Sequence, residues 1–270
     1  MGMFLNPGNE NFRQALRSKI YVDKTLVIKE FNNLLDTNDK FVCMSRARRF
    51  GKTMLQSLVT AYYSKGCDSR EIFSNLKIST ELADPNDVEK YQKNLNAFNV
   101  ILMDFNGFKA MLASGEDFFG ALHKTISEEF VKEFPDLNFE NCDTISKCIQ
   151  KVYAETNQTF IILIDEYDFF VRNQVDKDTF EKFLELLISL FKNASLSPAI
   201  SLAYLTGILP IVRDKIQSKL NTFKEYTMLN AKPFEKYIGF TKDEVKVKLE
   251  NGSEYAVSPV TWECYDQEYN

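Results

Sequence analysis

The sequence contains one histidine in 270 residues. With His123 alone, no His–His metal site can form, and a Ser–His or Cys–His catalytic pair would have to be built on that residue. It falls in a predicted helix with no nucleophile nearby and reads as a surface residue. Cysteine is sparse too. Cys43, Cys67, Cys142, Cys148 and Cys264 are odd in number and none forms a C-x-x-C pair. That pattern disfavours a zinc site or a disulfide framework and fits a reducing, cytoplasmic setting. Cys142 and Cys148 stand six apart, a poor metal spacing. No long apolar run exists. The strongest, Phe160–Ile164, falls far short of the ~20 residues of a membrane helix. The N-terminal stretch through Lys19 lacks a long apolar core, so no secretory leader is read there. Internal repeats and low-complexity tracts are absent as well, which removes solenoid and linker-like organisation.

What is present is an ordinary globular composition, 44% hydrophobic and 26% charged. A chain of this length can bury roughly three-quarters of its unfolded surface. The length allows one large domain or two small ones. The net charge of −5 is uneven: residues 1–53 carry +5 and the remainder −10. A basic N-terminal segment on an acidic chain points to one anionic ligand more than to a general nucleic-acid surface.

Strand and helix signals alternate. Phe41–Ser45, Asn99–Phe105, Phe160–Ile164, Ala199–Gly207 and the weaker Phe223–Leu229 read as strands. Asp117–Phe134, a segment capped by Asp143, Asp178–Asn193 and Arg213–Leu220 read as helices. Apolar strands without polar alternation, separated by helices, predict a doubly wound α/β fold: a parallel β-sheet of about five strands flanked by helices. Residues 1–40 read as an N-terminal helical element of a domain spanning 1–232. Residues 233–270 read as a short extension or a truncated second domain.

The chemistry concentrates at two strand ends. Arg46-Ala47-Arg48-Arg49-Phe50-Gly51-Lys52-Thr53 follows the first strand and precedes a helix, and its last three residues end a P-loop motif, G-x-x-x-x-G-K-[ST]. Backbone N–H groups from this loop through Met54 would bind phosphate oxygens. Lys52 would reach the β- and γ-phosphates, and the Thr53 hydroxyl would ligate Mg²⁺. Arg46 stands where the usual first glycine would be. Its neighbours Arg48 and Arg49 fit nucleotide charge or a solvated basic turn. The second strand end is Ile161-Ile162-Leu163-Ile164-Asp165-Glu166, four apolar residues and then two acids. Ligands bind at that edge of open α/β sheets. There Asp165 would hold Mg²⁺ through water, and Glu166 would serve as general base for the attacking water. Thr206, ending a further strand, is the candidate sensor of the γ-phosphate. Asp104, ending its own strand, is a solvated strand end or an aid to Mg²⁺. An extra strand, Asn99–Asp104, between the phosphate-loop strand and the Asp-Glu strand fits, with the Asp-Glu pair, the additional-strand, catalytic-glutamate (AAA/RecA-like) type of P-loop NTPase, in which a strand is inserted between those two in the sheet.

These residues resemble the predicted AAA-ATPase-like family, many members of which carry a C-terminal PD-(D/E)XK-type nuclease domain. Its Tyr-Val-Asp-Lys-Thr element is matched by Tyr21–Thr25. Its loop, Arg-Pro-Arg-Arg-Phe-Gly-Lys-Thr/Ser, is matched from Arg46 to Thr53 except at Ala47, so the missing first glycine is typical of the family. Leu-Ile-Asp-Glu-Tyr-Asp is matched by Leu163–Asp168, Leu-Thr-Gly-Ile by Leu205–Ile208, and Gly239-Phe240-Thr241 is similar to a following element. The resemblance covers about residues 10–245. It departs where Pro210 replaces a basic residue; nearby Arg213 becomes the candidate charge-stabilising arginine. Glu250–Tyr269 matches poorly, with Trp262, Tyr265 and Asp266 only faintly similar to a Trp-Tyr-Asp-Gly-Tyr element, and nuclease activity is not carried over.

The resemblance implies Mg²⁺-dependent ATP hydrolysis by Lys52, Thr53, Asp165 and Glu166, with ATP the bound nucleotide and no membrane partner. Asp23 and Lys24 are contributors or helix caps, and Asp168 a supporting residue. The alternative is a nucleotide-dependent switch acting on a nucleic acid or a protein partner. A small-molecule kinase is disfavoured by the Asp-Glu pair and by the lack of an arginine-rich lid. Oligomeric state and the coupled task stay open.

Overall fold

Uninterrupted apolar runs leave no solvent-facing side to a strand, so each must be covered on both faces. The computed structural model, which describes residues 2–108, 117–210, 221–241 and 244, has that arrangement. Strands β1 (Phe41–Ser45), β2 (Asn99–Asp104), β3 (Phe160–Asp165), β4 (Ile200–Gly207) and β5 (Lys224–Tyr226) form one sheet in the order β2-β3-β4-β1-β5. Every pairing is parallel. This is the expected doubly wound parallel sheet.

The two-residue period of a strand divides the core. Cys43, Ile162, Ile164, Ala203 and Leu205 face one apolar layer. It is closed by helices α7 (Phe118–Glu133), α8 (Ile145–Thr156) and α10 (Lys177–Phe191). Val42, Met44, Ile161, Leu163, Leu202 and Tyr204 face the other. That layer is closed by α1 (Glu10–Leu16), α2 (Val27–Leu34) and α3 (Lys52–Tyr63). Phe234, Tyr237 and Ile238 pack into the same layer, with the Phe234 ring against Phe31 and Tyr226.

The strand lying between β1 and β3 in the chain, β2, sits at the sheet edge; β4 is the strand inserted between them. The exposed side of β2 is covered by the N-terminus, where Leu5 bridges antiparallel to Ile101. Covering an edge in this way removes a template for aggregation. Three short helices, α4 (Arg70–Phe73), α5 (Lys77–Thr80) and α6 (Pro85–Asn94), fill the span after α3. A further short helix, α9 (Phe169–Arg172), follows β3.

Three local expectations are revised. Thr144, not Asp143, is the N-cap residue of α8, its hydroxyl accepting from Lys147 N at 3.4 Å. The fifth strand shortens to three residues. His123 is half-buried on α7, where its Nδ1 is enclosed without a hydrogen-bond partner and burial lowers its pKa. Arg213, the helix predicted around it, and Cys264, Trp262, Tyr265 and Asp266 lie outside the described residues.

Candidate active site

The parallel register brings the C-terminal ends of β1, β3 and β4 side by side, with Ser45 paired to Gly207 and Ile164 to Leu205. The loop from Arg46 to Gly51 leaves β1 and enters α3. Arg49 and Gly51 both have positive φ, +69° and +77°, on either side of Phe50. Alternating hand of this kind turns successive N–H groups toward one side, the geometry of an anion nest. Gly51 is the N-cap residue of α3. A Cβ built there meets nothing closer than Met54 Cε at 4.0 Å, so the space over the loop is open. The first-turn N–H groups of Lys52, Thr53 and Met54 have no acceptor inside the helix.

Lys52 is buried at the first position of α3, its Nζ donating to the carbonyls of Arg46 at 3.0 Å and Ala47 at 3.1 Å. Burial holds its ammonium below the usual lysine range, opposed by the charges of Glu166, Asp165 and Asp168. Thr53 Oγ1 donates to Asp165 Oδ2 at 2.8 Å. Asp165 Oδ1 accepts from the hydroxyl of Thr206 and from Glu166 N at 3.0 Å. Helix α3, β3 and β4 therefore meet at one carboxylate.

The sequence reading missed Gln56. One turn beyond Lys52 and buried, its amide is placed to donate to Asp165 Oδ2 and accept from Asp165 N, both at 3.2 Å. Its place four residues after Lys52 on a helix was the available signal.

Glu166 has φ +55°, left-handed for a non-glycine residue. Backbone strain of this sort gathers at functional sites. Burial pushes its carboxyl above the usual range; Arg172 opposes the shift, and Asp165 and Asp168 add to it. The Arg172 guanidinium pairs with Glu166 Oε2 and, through Nε, with Asp168 Oδ2 at 2.9 Å. Asp168 Oδ2 also accepts from Ile208 N at 3.1 Å and Leu209 N at 2.9 Å. Arg172, also missed, lies one helical turn from Asp168 on α9.

The arginines of the loop separate. Arg46 is 4% exposed, and its Nη1 donates to the carbonyls of Ser45 and Tyr226 at 2.8 Å, bracing β1 against β5. Arg48 and Arg49 are exposed. Phe50 O accepts from Gly239 N at 3.0 Å. Asp23 works as a stitch between elements, accepting from Thr25 N and from Lys77 N, both at 2.8 Å. Lys24 is buried against Glu244 at 2.7 Å and the carbonyl of Lys236 at 2.6 Å. Asp104 is exposed at the end of β2, level with Asp165, and caps the following turn by accepting from Asn106 N at 2.9 Å.

Hard oxygen donors from Thr53 and Asp165, beside an open cradle at Gly51, suit a Mg²⁺–phosphate group, which takes few protein ligands. Among the described residues no cluster of three or more His, Cys, Asp or Glu forms a self-sufficient metal site. No helix of the described residues is long and apolar enough to cross a membrane.

Comparison with known proteins gives a family. The C. elegans PCH-2 structure is similar over 74% of this chain and 40% of its own, at 12% identity and a TM-score of 0.35. The chain thus spans less than half of that structure, and a likeness this loose carries no argument. No curated protein matches the chain in sequence. A family model described as predicted AAA-ATPase matches residues 8–217, well over half of the chain and including the ends of β1, β3 and β4. The chain belongs to the predicted AAA-ATPase family.

Proposed function

We propose that the chain binds Mg-ATP between the β1–α3 loop and the ends of β3 and β4, and hydrolyses the γ-phosphate. One observation carries the proposal: Thr53, Asp165 and Thr206, from three different elements, form a single hydrogen-bonded cluster beside Lys52.

The N–H groups of the loop and of the first turn of α3 bind the phosphate oxygens. Lys52 supplies positive charge to the β- and γ-phosphates. Thr53 and Asp165 hold Mg²⁺, which when bound neutralises phosphate charge and polarises the phosphoryl group. Asp165, fixed by Thr206 and Gln56, keeps that donor pair in place. Thr206, hydrogen-bonded to Asp165 at the end of β4, is the proposed reporter of the γ-phosphate. Glu166 accepts the proton of the attacking water. Its raised pKa brings the carboxylate closer to that of an effective base at neutral pH. Arg48 and Arg49, exposed at the loop, add charge for an incoming nucleotide. Arg213 keeps its sequence-based role as the candidate charge-stabilising arginine. The cytoplasm is the proposed compartment, from the odd number of cysteines and the lack of any C-x-x-C pair in the sequence.

The test is Mg-ATP binding and phosphate release on the wild type, Lys52→Ala and Glu166→Gln. Lys52→Ala is expected to weaken ATP binding by about tenfold or more, the loss of one strong charge-assisted contact. Glu166→Gln is expected to keep binding and to lose turnover by roughly 10²–10⁴-fold. Equal binding by wild type and Lys52→Ala removes the site assignment. Binding without release in the wild type replaces hydrolysis with a nucleotide-dependent switch.

A further inference from the structure

We infer that Arg172 is a positioning residue for the proposed hydrolysis: anchored by Asp168, it fixes the Glu166 carboxylate relative to the end of β4. The inference rests on the ATPase proposal above.

A glutamate carboxylate sits at the end of three rotatable bonds, and a general base must hold its place to within a fraction of an ångström. Misplacement by 1 Å can cost about 10²-fold in rate. Nothing in the backbone at Glu166 sets where the carboxylate ends. Its N–H donates to Asp165 Oδ1 and its carbonyl accepts from Phe169 N, which orient the main chain only. Among the side-chain hydrogen bonds described, the carboxylate is held by Arg172.

Arg172 is itself immobilised. A guanidinium is a planar fork whose donors keep fixed relative directions. Here Nη2 takes Glu166 Oε2 and Nε takes Asp168 Oδ2, so the two carboxylates are locked to one rigid group. Its main chain is fixed as well, with Arg172 N donating to Asp168 O at 3.0 Å in α9. Asp168 in turn is 1% exposed, and the N–H groups of Ile208 and Leu209 hold the same oxygen that receives Arg172 Nε. A Cβ added to Gly207 would lie 2.8 Å from Asp168 Oδ1, so the chain at the end of β4 is pressed directly against this carboxylate. Tyr167 adds a further tie, its N–H donating to Thr206 O at 3.0 Å and its hydroxyl to Leu209 O. The line of contact therefore runs from the β4 turn through Asp168 and Arg172 to Glu166.

An ordinary surface pair would not behave this way. The Arg172 and Glu166 side chains are 18% and 19% exposed, so solvent screens the pair only partly. Three features thus coincide: a rigid donor, a buried anchor and a base with no other side-chain restraint among the described residues. The anchor is held by Ile208 N and Leu209 N just past the end of β4, so a shift there would be passed to the base through three hydrogen bonds in series, to Asp168, to Arg172 and to Glu166. Lysine in place of Arg172 keeps the charge but offers a point donor on a flexible stem, and so should restore only part of the effect.

The experiment measures kcat, KM and ATP dissociation constant for the full chain as wild type, Arg172→Gln, Arg172→Lys, Asp168→Asn and the Arg172→Gln/Asp168→Asn double variant. Thermal melting of each checks folding. Arg172→Gln is expected to lower kcat by about 10²-fold while the dissociation constant stays within about twofold. Arg172→Lys should recover part of kcat. Asp168→Asn should act in the same direction, and the double variant should be no worse than the more damaged single one, because both cut one line of contact. Wild-type kcat in well-folded Arg172→Gln overturns the inference and leaves the ATPase proposal standing. So does a lowered melting temperature with kcat per folded molecule unchanged, the result of a merely structural ion pair. Additive losses in the double variant would also break the proposed line. A wild type that binds ATP and releases no phosphate overturns both proposals together.

Discussion

Gly51 has φ +77° and open space where a side chain would stand. An L-residue there costs roughly 1–2 kcal/mol in backbone energy, while no packing clash adds to it. The same open space is where the proposed phosphate would sit. Gly51→Ala should therefore destabilise the fold by about 1 kcal/mol but weaken ATP binding by about tenfold or more, measured by denaturant melts and calorimetric titration side by side. Unchanged affinity would place the phosphates away from Gly51. At this scale much of the site was legible in the sequence. Gly51, Lys52, Thr53, Asp165 and Glu166 stand out because a loop or strand end must carry them in the main-chain order that the chemistry uses. Arg46 was not separable from Arg48 and Arg49, since three neighbouring arginines look alike until one of them finds two backbone carbonyls. Asp168 was legible as a supporting residue, but its partners, like those of Gln56 and Arg172, lie far away in the chain or one helical turn off, and only the fold supplies them.

Elements divide in the same manner. Strands β1 to β4 and helices α7 and α10 were readable because each is an apolar run or a long amphipathic stripe. Helices α4 and α5 have four residues each, too few to display a period of 3.6. Helix α6 is mostly polar, yet Asp84 capping Asn86 N ahead of Pro85 was a usable start signal. Order in the sheet was hidden for another reason: an α/β alternation does not say which strand enters between β1 and β3. The segment Phe234–Thr241 shows how elements far apart in the chain bear on the loop. It is tied to the N-terminal region by Lys24, which pairs with Glu244 and the carbonyl of Lys236, and to the loop by Gly239 N on Phe50 O. Removing one member of a fully buried pair costs about 3–5 kcal/mol. Glu244 is 27% exposed, so its loss of a partner is partly repaired by water. Lys24→Ala is therefore expected to cost about 1–2 kcal/mol and to speed proteolysis within residues 234–241. ATP affinity should fall with it, because Phe50 loses its brace. Proteolysis at the wild-type rate in a destabilised Lys24→Ala chain would show that the segment is held by Phe234 and Tyr237 alone.

On the scale of the whole molecule, residues 1–53 carry a net charge of +5 on an otherwise acidic chain, and part of that charge stands at the end of β1. Arg48, Arg49 and Lys52 lie in the loop that leaves β1, and the acids of β3 stand beside them. Charges of both signs at one strand edge suit a ligand that is itself a metal and a polyphosphate, where either half alone meets an incomplete site. That requirement makes stability a direct reporter. A ligand that binds the folded chain at a hundred times its dissociation constant stabilises by about 2.7 kcal/mol. In a domain of this size each kcal/mol moves the melting temperature by roughly 2–4 °C. Saturating Mg-ATP should then raise the melting temperature of the wild type by roughly 5–10 °C. ATP with a chelator in place of Mg²⁺ should give a smaller rise, because Thr53 and Asp165 then face no cation and the Asp165 charge repels the phosphates. Lys52→Ala should show little rise with either. Differential scanning calorimetry of both chains, with and without chelator, reads all of these at once. A rise in Lys52→Ala equal to that of the wild type would put the nucleotide elsewhere on the molecule. A rise in the wild type that ignores the chelator would keep the phosphate loop and dismiss Thr53 and Asp165 as the cation's donors.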